Sequence, residues 1–211
     1  MKKGRKILEY LNSLGVPVYF VPGNNDWTAP KNHDKKEWDY MNQDFYSQLV
    51  KDLENMVDVH HKITDIDGYQ IIGHGITSSP EYPEDLANKT KEELQKIKEN
   101  YEEQKAKLVS LFEKTTKPVI FISHNIPFNT PLDEITNKES PKYRFHFGSI
   151  IAREMCEQFQ PVICIGGHMH EHFGECKIGK TIVINSGFGG DKNIWLELDN
   201  GKIKKLEFYQ E

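Results

Sequence analysis

Three apolar runs in this chain each end in side chains that could bind a metal. VPVYFV, residues 16 to 21, runs into Pro22-Gly23-Asn24-Asn25-Asp26. PVIFI runs into Ser123-His124-Asn125, and PVICI into Gly166-Gly167-His168-Met169-His170. In open α/β sheets, ligands bind in the crevice beyond the carboxyl ends of the strands. If these strands lie side by side, Asn24, His124, His168 and His170 converge. Residues 168 and 170 are two apart, so an extended backbone would face both imidazoles the same way. The two glycines before them would let the backbone approach an ion. Neutral imidazole and an amide oxygen suit Mn, Fe, Co, Ni and Zn. The set brings no negative charge and would need carboxylates from elsewhere.

Each signal has an ordinary explanation as well. A lone histidine after a strand is usually a hydrogen-bonded residue, and GNND is also a good tight turn. Three such sites at three equivalent strand ends argue for a shared purpose. Other polar residues stand nearby. His172 shares the alternation of His168 and His170. His74 ends the strand IIGH. Arg144 and His146, in YRFHFGS, are candidate phosphate contacts, because a guanidinium binds phosphate in a bidentate way. His60-His61 reads as a surface pair on a strand.

The elements that must position these residues follow from periodicity. Ile7, Leu8, Leu11 and Leu14 give a helix over 5–14, stopped by Gly15. Trp38, Met41, Phe45, Leu49 and Leu53 give a second helix over 34–56. VDVHHKITDI and YQIIGHGITS form strands hinged at Asp67-Gly68, a hairpin signal. Thr90 and Glu93 make a capping box for a charged helix over about 91–114. Its apolar stripe is Leu94, Ile97, Tyr101, Leu108 and Leu111. VIFIS is a buried-type strand, followed by a long Pro-, Asn- and Ser-rich loop of the kind that often carries function. A helix over 149–159 and the strand VICIG come next. Four β-type segments close the chain, with turns at Ile178-Gly179-Lys180 and Asp199-Asn200-Gly201. This order implies an α/β core extended by a more antiparallel sheet. There is no repeat or linker, so residues 1–211 read as one domain.

Bulk properties narrow the classes of function. A net charge of −5 argues against non-specific nucleic-acid binding, which needs a basic footprint. A small phosphate-bearing substrate is still compatible, since a bound metal reverses the local field. No apolar run approaches a membrane span. The basic N-terminus lacks the apolar centre of a signal peptide. The three cysteines, Cys156, Cys164 and Cys176, form no pair pattern, which fits a reducing, cytoplasmic compartment.

GNND at 23–26, SHNIP at 123–127 and GHMHE at 167–171 resemble, in order, three motifs of the calcineurin-like metallophosphoesterases. FGSIIAREM and INSG extend the similarity over most of the chain. The resemblance implies a four-layer α/β/β/α sandwich. It implies a phosphomonoesterase or phosphodiesterase with two divalent metals about 3.5 Å apart, bridged by an attacking hydroxide. Asn24, His124 and His168 would hold one metal, and His170 the other. Mn, Fe, Zn, Co or Ni would serve. Two departures matter. The family's opening DxH and GDxxD motifs are not in this sequence, as if two strand–helix units, on the order of 60 residues, were missing. Many relatives also carry His, an acid for the leaving group, where this chain has Asn25, which cannot donate a proton in that way. Asn25 is therefore a weak catalytic candidate. Two alternatives to the enzyme follow: a binding module on this fold, or a fragment inactive until a second chain complements it, such as another copy in a homo-oligomer. Loss of two units should leave apolar surface exposed.

Overall fold

The computed structural model describes residues 2–24, 49–77, 79–82 and 89–211. The chain begins with α1, Lys2–Asn12, which ends through Gly15 at φ 70°. Strand β1, Val18–Phe20, pairs in parallel with β2, Met56–Asp58. Most of the expected 34–56 helix lies outside the described residues. Its last residues do not continue as helix: Asp52 has a φ of 60° and the chain enters β2 at Met56.

A six-stranded mixed sheet forms the centre. Its strands are β3 (Ile63–Ile66), β4 (Tyr69–His74), β5 (Val119–Asn125), β6 (Ile163–Gly167), β7 (Gly174–Ile178) and β8 (Thr181–Asn185). Their order across the sheet is β3-β4-β5-β6-β8-β7. The four inner strands run parallel, and each edge strand is antiparallel to its neighbour. The β3–β4 hairpin turns through Asp67 and Gly68, both at positive φ, the geometry that matches the twist of paired strands.

Helix α2, Lys91–Phe112, links β4 to β5, and α3, Ile150–Phe159, links β5 to β6. The capping box of α2 is present in both directions: Glu93 N–H donates to Thr90 Oγ1, and Thr90 N–H donates to the Glu93 carboxylate. Only the C-terminal half of α2 packs closely, through Leu108 and Phe112. Ser149 caps α3, whose Ile151, Ala152, Met155 and Cys156 are buried at helical spacing. They meet Phe112, Phe121 and Cys164 in the main core. Burying a side chain such as Phe121 is worth about 2–3 kcal/mol. A separate hairpin, β9 (Lys192–Asp199) with β10 (Lys202–Gln210), closes the chain. It is tied to the sheet by Gly201 N–H donating to Tyr69 Oη and by Phe208 against the edge of Phe173.

The architecture is mixed α/β, with the parallel strands β4, β5, β6 and β8 ending at one carboxyl edge. The α1 stripe is not fully covered: Ile7 is 61% exposed, Tyr10 67% and Leu14 51%.

Candidate metal centre at the carboxyl edge

Asn24 reaches the sheet because β1 and β2 cross the end of β4 at very close range. Val59 N–H donates to Phe20 O, and Ile76 N–H donates to Pro22 O at 2.8 Å. A Cβ on Gly73 would stand 2.6 Å from both Val21 Cγ1 and Val59 O, and one on Gly75 would stand 2.5 Å from Pro22 O. The glycines of IIGHG are therefore what lets the loop after β1 lie on the edge of the central sheet.

His124 is aimed by an irregularity in its own strand. Ile122 pairs with Ile165, but the next pair is Asn125 with Gly167, so β5 carries one extra residue at 123–124. Such a bulge re-aims side chains and is common beside functional sites. The result is a close approach: His124 Nε2 lies 2.9 Å from Asn24 Oδ1 and 3.1 Å from His168 Nδ1.

His168 sits in an unusual backbone. Its φ is +67°, and Met169 N–H donates to Gly167 O at 2.8 Å. Residues 167–169 thus form a γ-turn of the rare, strained positive-φ kind. The segment is not extended at this point, so the period of two expected to face His168 and His170 alike does not apply. A non-glycine residue held at positive φ costs free energy and persists where the surroundings fix it, often at functional sites. Here Asn185, fully buried, holds the turn by donating Nδ2–H to Met169 O.

The donor geometry fits a cation. Ligands at ~2.1 Å from a metal and at right angles to one another stand ~3.0 Å apart. Both observed separations match that spacing. Burial, with the nearby His168, His170 and His74, lowers the pKa of His124 to about 4. The ring is then neutral at physiological pH, the form that binds metals. Without a cation, one Nε2–H would be shared between two acceptors.

The other expected residues are less closely placed. His170 is exposed, its ring stacked on Phe188 at 3.8 Å, while its charge still bears on His124. Arg144 is 74% exposed along its side chain, about 4.0 Å from Glu134 and beside the Tyr143 ring. His146 directs Nδ1 at the buried Asp133, 2.8 Å from its Oδ1. His172 donates Nε2–H to Glu134 O. Asn25 lies outside the described residues. Among the described residues, no group of three or more His, Cys, Asp or Glu side chains is placed to hold a metal. The trio pairs two imidazoles with an amide and carries no carboxylate.

Sequence reasoning missed a second cluster. His60 and His61 are not a surface pair. Their rings stack at 4.0 Å, and His61 Nε2 lies 3.2 Å from Nδ1 of the fully buried His74. His74 Nε2 is 3.4 Å from Glu81, whose other oxygen accepts from Ile150 N–H at the head of α3. Burial and neighbouring imidazoles lower His60 to about 4 and His61 to about 3. The adjacent histidines and the strand-end His74 were visible in the sequence. Their contact is tertiary and was not.

Residues 2–172 match the calcineurin-like phosphoesterase family. The chain belongs to that family. As a calcineurin-like phosphoesterase it resembles the uncharacterized protein MJ1162 of Methanocaldococcus jannaschii, with 28% identity over 87% of this chain and 70% of that protein. TT1561 of Thermus thermophilus shares its fold at TM-score 0.60 and 19% identity, covering 99% of this chain and 79% of that one. The phosphopantetheinyl hydrolase PptH of Mycobacterium tuberculosis does so at TM-score 0.58 and 16% identity, covering 87% and 74%. The family generally depends on two metal ions.

Proposed function

We propose that this calcineurin-like phosphoesterase hydrolyses small phosphate monoesters or diesters with divalent metal held by Asn24, His124 and His168. The observation that carries this reading is the convergence of Asn24 Oδ1, His124 Nε2 and His168 Nδ1 within 3.1 Å steps on a strained turn. Holding His168 at a φ of 67° costs free energy of the kind that clusters at functional sites. His170, at the rim, is assigned to a second metal. Bound metal would polarise the phosphoryl oxygen and lower the pKa of a water to make the nucleophile. It would also reverse the local field of a chain with net charge −5.

The chain's own residues supply position. The bulge in β5 fixes His124, and the Gly73 and Gly75 crossing fixes Asn24. Arg144 and His146, on the 126–149 loop, are assigned to substrate contact. Manganese is the first metal to try, and the three free cysteines suit a reducing, cytoplasmic setting. Residues 1–211 are taken to act as one domain. The test is hydrolysis of 4-nitrophenyl phosphate and bis(4-nitrophenyl) phosphate with added Mn²⁺, before and after chelation. Turnover that vanishes with chelator and in His124→Ala supports the reading. Turnover with none of Mn, Fe, Zn, Co or Ni would overturn it.

A second reading, a binding module on this fold, is favoured by one observation. Ile7, Tyr10, Leu14 and Val16 are each more than half exposed on one end of the molecule, a grouping expected of an interface. Sedimentation at rising concentration tests it: a monomer throughout would count against self-association.

A further inference from the structure

A fully buried carboxylate on the loop between β5 and α3 has no part in the metal trio. Asp133 accepts from Thr130 N–H at 2.7 Å, Asn129 N–H at 3.0 Å and Gly148 N–H at 2.9 Å. It also accepts from Thr130 Oγ1–H and, at 2.8 Å, from His146 Nδ1. An ionised carboxylate only accepts, so His146 must carry its proton on Nδ1. This fixes the ring's orientation and leaves Nε2 as the nitrogen for substrate, on a side chain that is 30% exposed. A buried carboxylate holding an imidazole in one tautomer is how proteins prepare a proton-transfer group.

The loop is pinned over the carboxyl edge on both sides. Asn125, next to His124, donates Nδ2–H to the carbonyl of Phe147, next to His146. His172, two residues beyond His170, donates to Glu134 O, and Glu134 bridges to His146 across the loop. Two chain steps and one side-chain hydrogen bond separate His146 from His124. The two steps are about 7.6 Å of backbone at ~3.8 Å each, joined by the Asn125–Phe147 hydrogen bond. The alternatives are engaged elsewhere. His172 is spent on Glu134 O and His74 is fully buried against Glu81. Asn25 has an amide in place of a transferable proton.

We propose that His146 donates the proton to the leaving group, with Asp133 as its positioning residue. This rests on the phosphoesterase reading above. Protonated His146 has an N–H on each nitrogen. A water that has lost one proton to solvent bonds to phosphorus through its oxygen. The bond from phosphorus to the ester oxygen breaks, and that oxygen takes the electron pair. It receives the Nε2 proton and leaves as an alcohol. Nδ1–H stays on Asp133, and His146 regains its proton from solvent.

The experiment compares kcat on an alkyl phosphate ester and on the matching 4-nitrophenyl ester, with Mn²⁺, for wild type, His146→Gln and Asp133→Asn. An alkoxide leaves poorly without a proton, and a nitrophenolate leaves readily. The expected result is that H146Q lowers the alkyl-to-aryl ratio of kcat by about 100-fold, and D133N lowers it in the same direction by about 10-fold. Melting curves show whether each variant is folded, and H146Q alone decides the matter if D133N is not. Equal losses on both esters, or a change confined to KM, would overturn this inference and leave the phosphoesterase reading standing. No hydrolysis of either ester by the wild type would overturn both.

Discussion

Two histidine clusters stand at the same carboxyl edge and are built on opposite plans. In the first, Asn24 Oδ1 and His168 Nδ1 both approach His124 Nε2, from three separate strand ends. In the second, His60, His61 and His74 stack in a row and pass hydrogen bonds along it to Glu81, which in turn caps α3. A row of this kind satisfies itself. Gly75 N–H donates to His60 Nδ1 at one end, and the head of α3 donates to Glu81 at the other. Converging acceptors do not satisfy themselves, because two lone pairs and an amide oxygen repel until a cation or shared proton sits among them. Histidine content alone is therefore a poor guide to a metal site. On the proposed reading, the direction of the lone pairs separates ligand from scaffold.

Substitutions should pull the two clusters apart. The largest effect is expected from His124→Ala: a loss of at least ~100-fold in Mn²⁺ affinity, read by titration, with little change in melting temperature. The mirror experiment is His74→Ala. It leaves the buried Glu81 without its imidazole and should cost about 3 kcal/mol of stability by urea denaturation, while Mn²⁺ affinity shifts by less than a few-fold. Were His74→Ala to abolish metal binding too, the two clusters would be one site.

Acid provides a smaller probe of the second cluster. His60 and His61 have folded pKa values of about 4 and about 3, against 6.5 as free side chains. Between pH 6.5 and about 3 the unfolded chain binds protons that the folded chain refuses, His60 closing its part of the window near 4 and His61 near 3. Stability therefore falls as pH drops through this window and levels off below it. A fall in Tm on the order of 5 °C is expected, and His61→Gln should reduce it. A flat Tm across the window would contradict the burial of this pair. The smallest effect is a control: Thr90→Ala removes the α2 capping box, costs about 1 kcal/mol, and should leave both clusters untouched.

Local chemistry was legible in the sequence wherever it depended on a few neighbouring residues. The Asp67-Gly68 hairpin and the Thr90–Glu93 box both stand where short-range rules place them. The three strand ends bearing Asn24, His124 and His168 were legible because apolar strands running into polar residues mark an α/β edge. What was hidden depended on distant packing or on irregular backbone. A period of two predicts that residues 168 and 170 face alike, but the γ-turn at His168 breaks that period. The extra residue in β5 leaves no trace in the pattern VIFISHN. Asp133 reads as a polar loop residue, yet three backbone donors from its own loop bury it. The segment VDVHHKITDI reads as one strand, but the structure divides it into β2 and β3 on either side of His60 and His61.

The most direct test of the central claim is Mn²⁺ titration calorimetry on the wild type and on His168→Gly. Glycine accepts a φ of +67° without strain, so the variant should fold with a metal-free melting temperature no lower than that of the wild type. The account predicts that its Mn²⁺ affinity nonetheless falls at least ~100-fold. Unchanged affinity in a folded His168→Gly protein would mean that the converging trio is not the metal site.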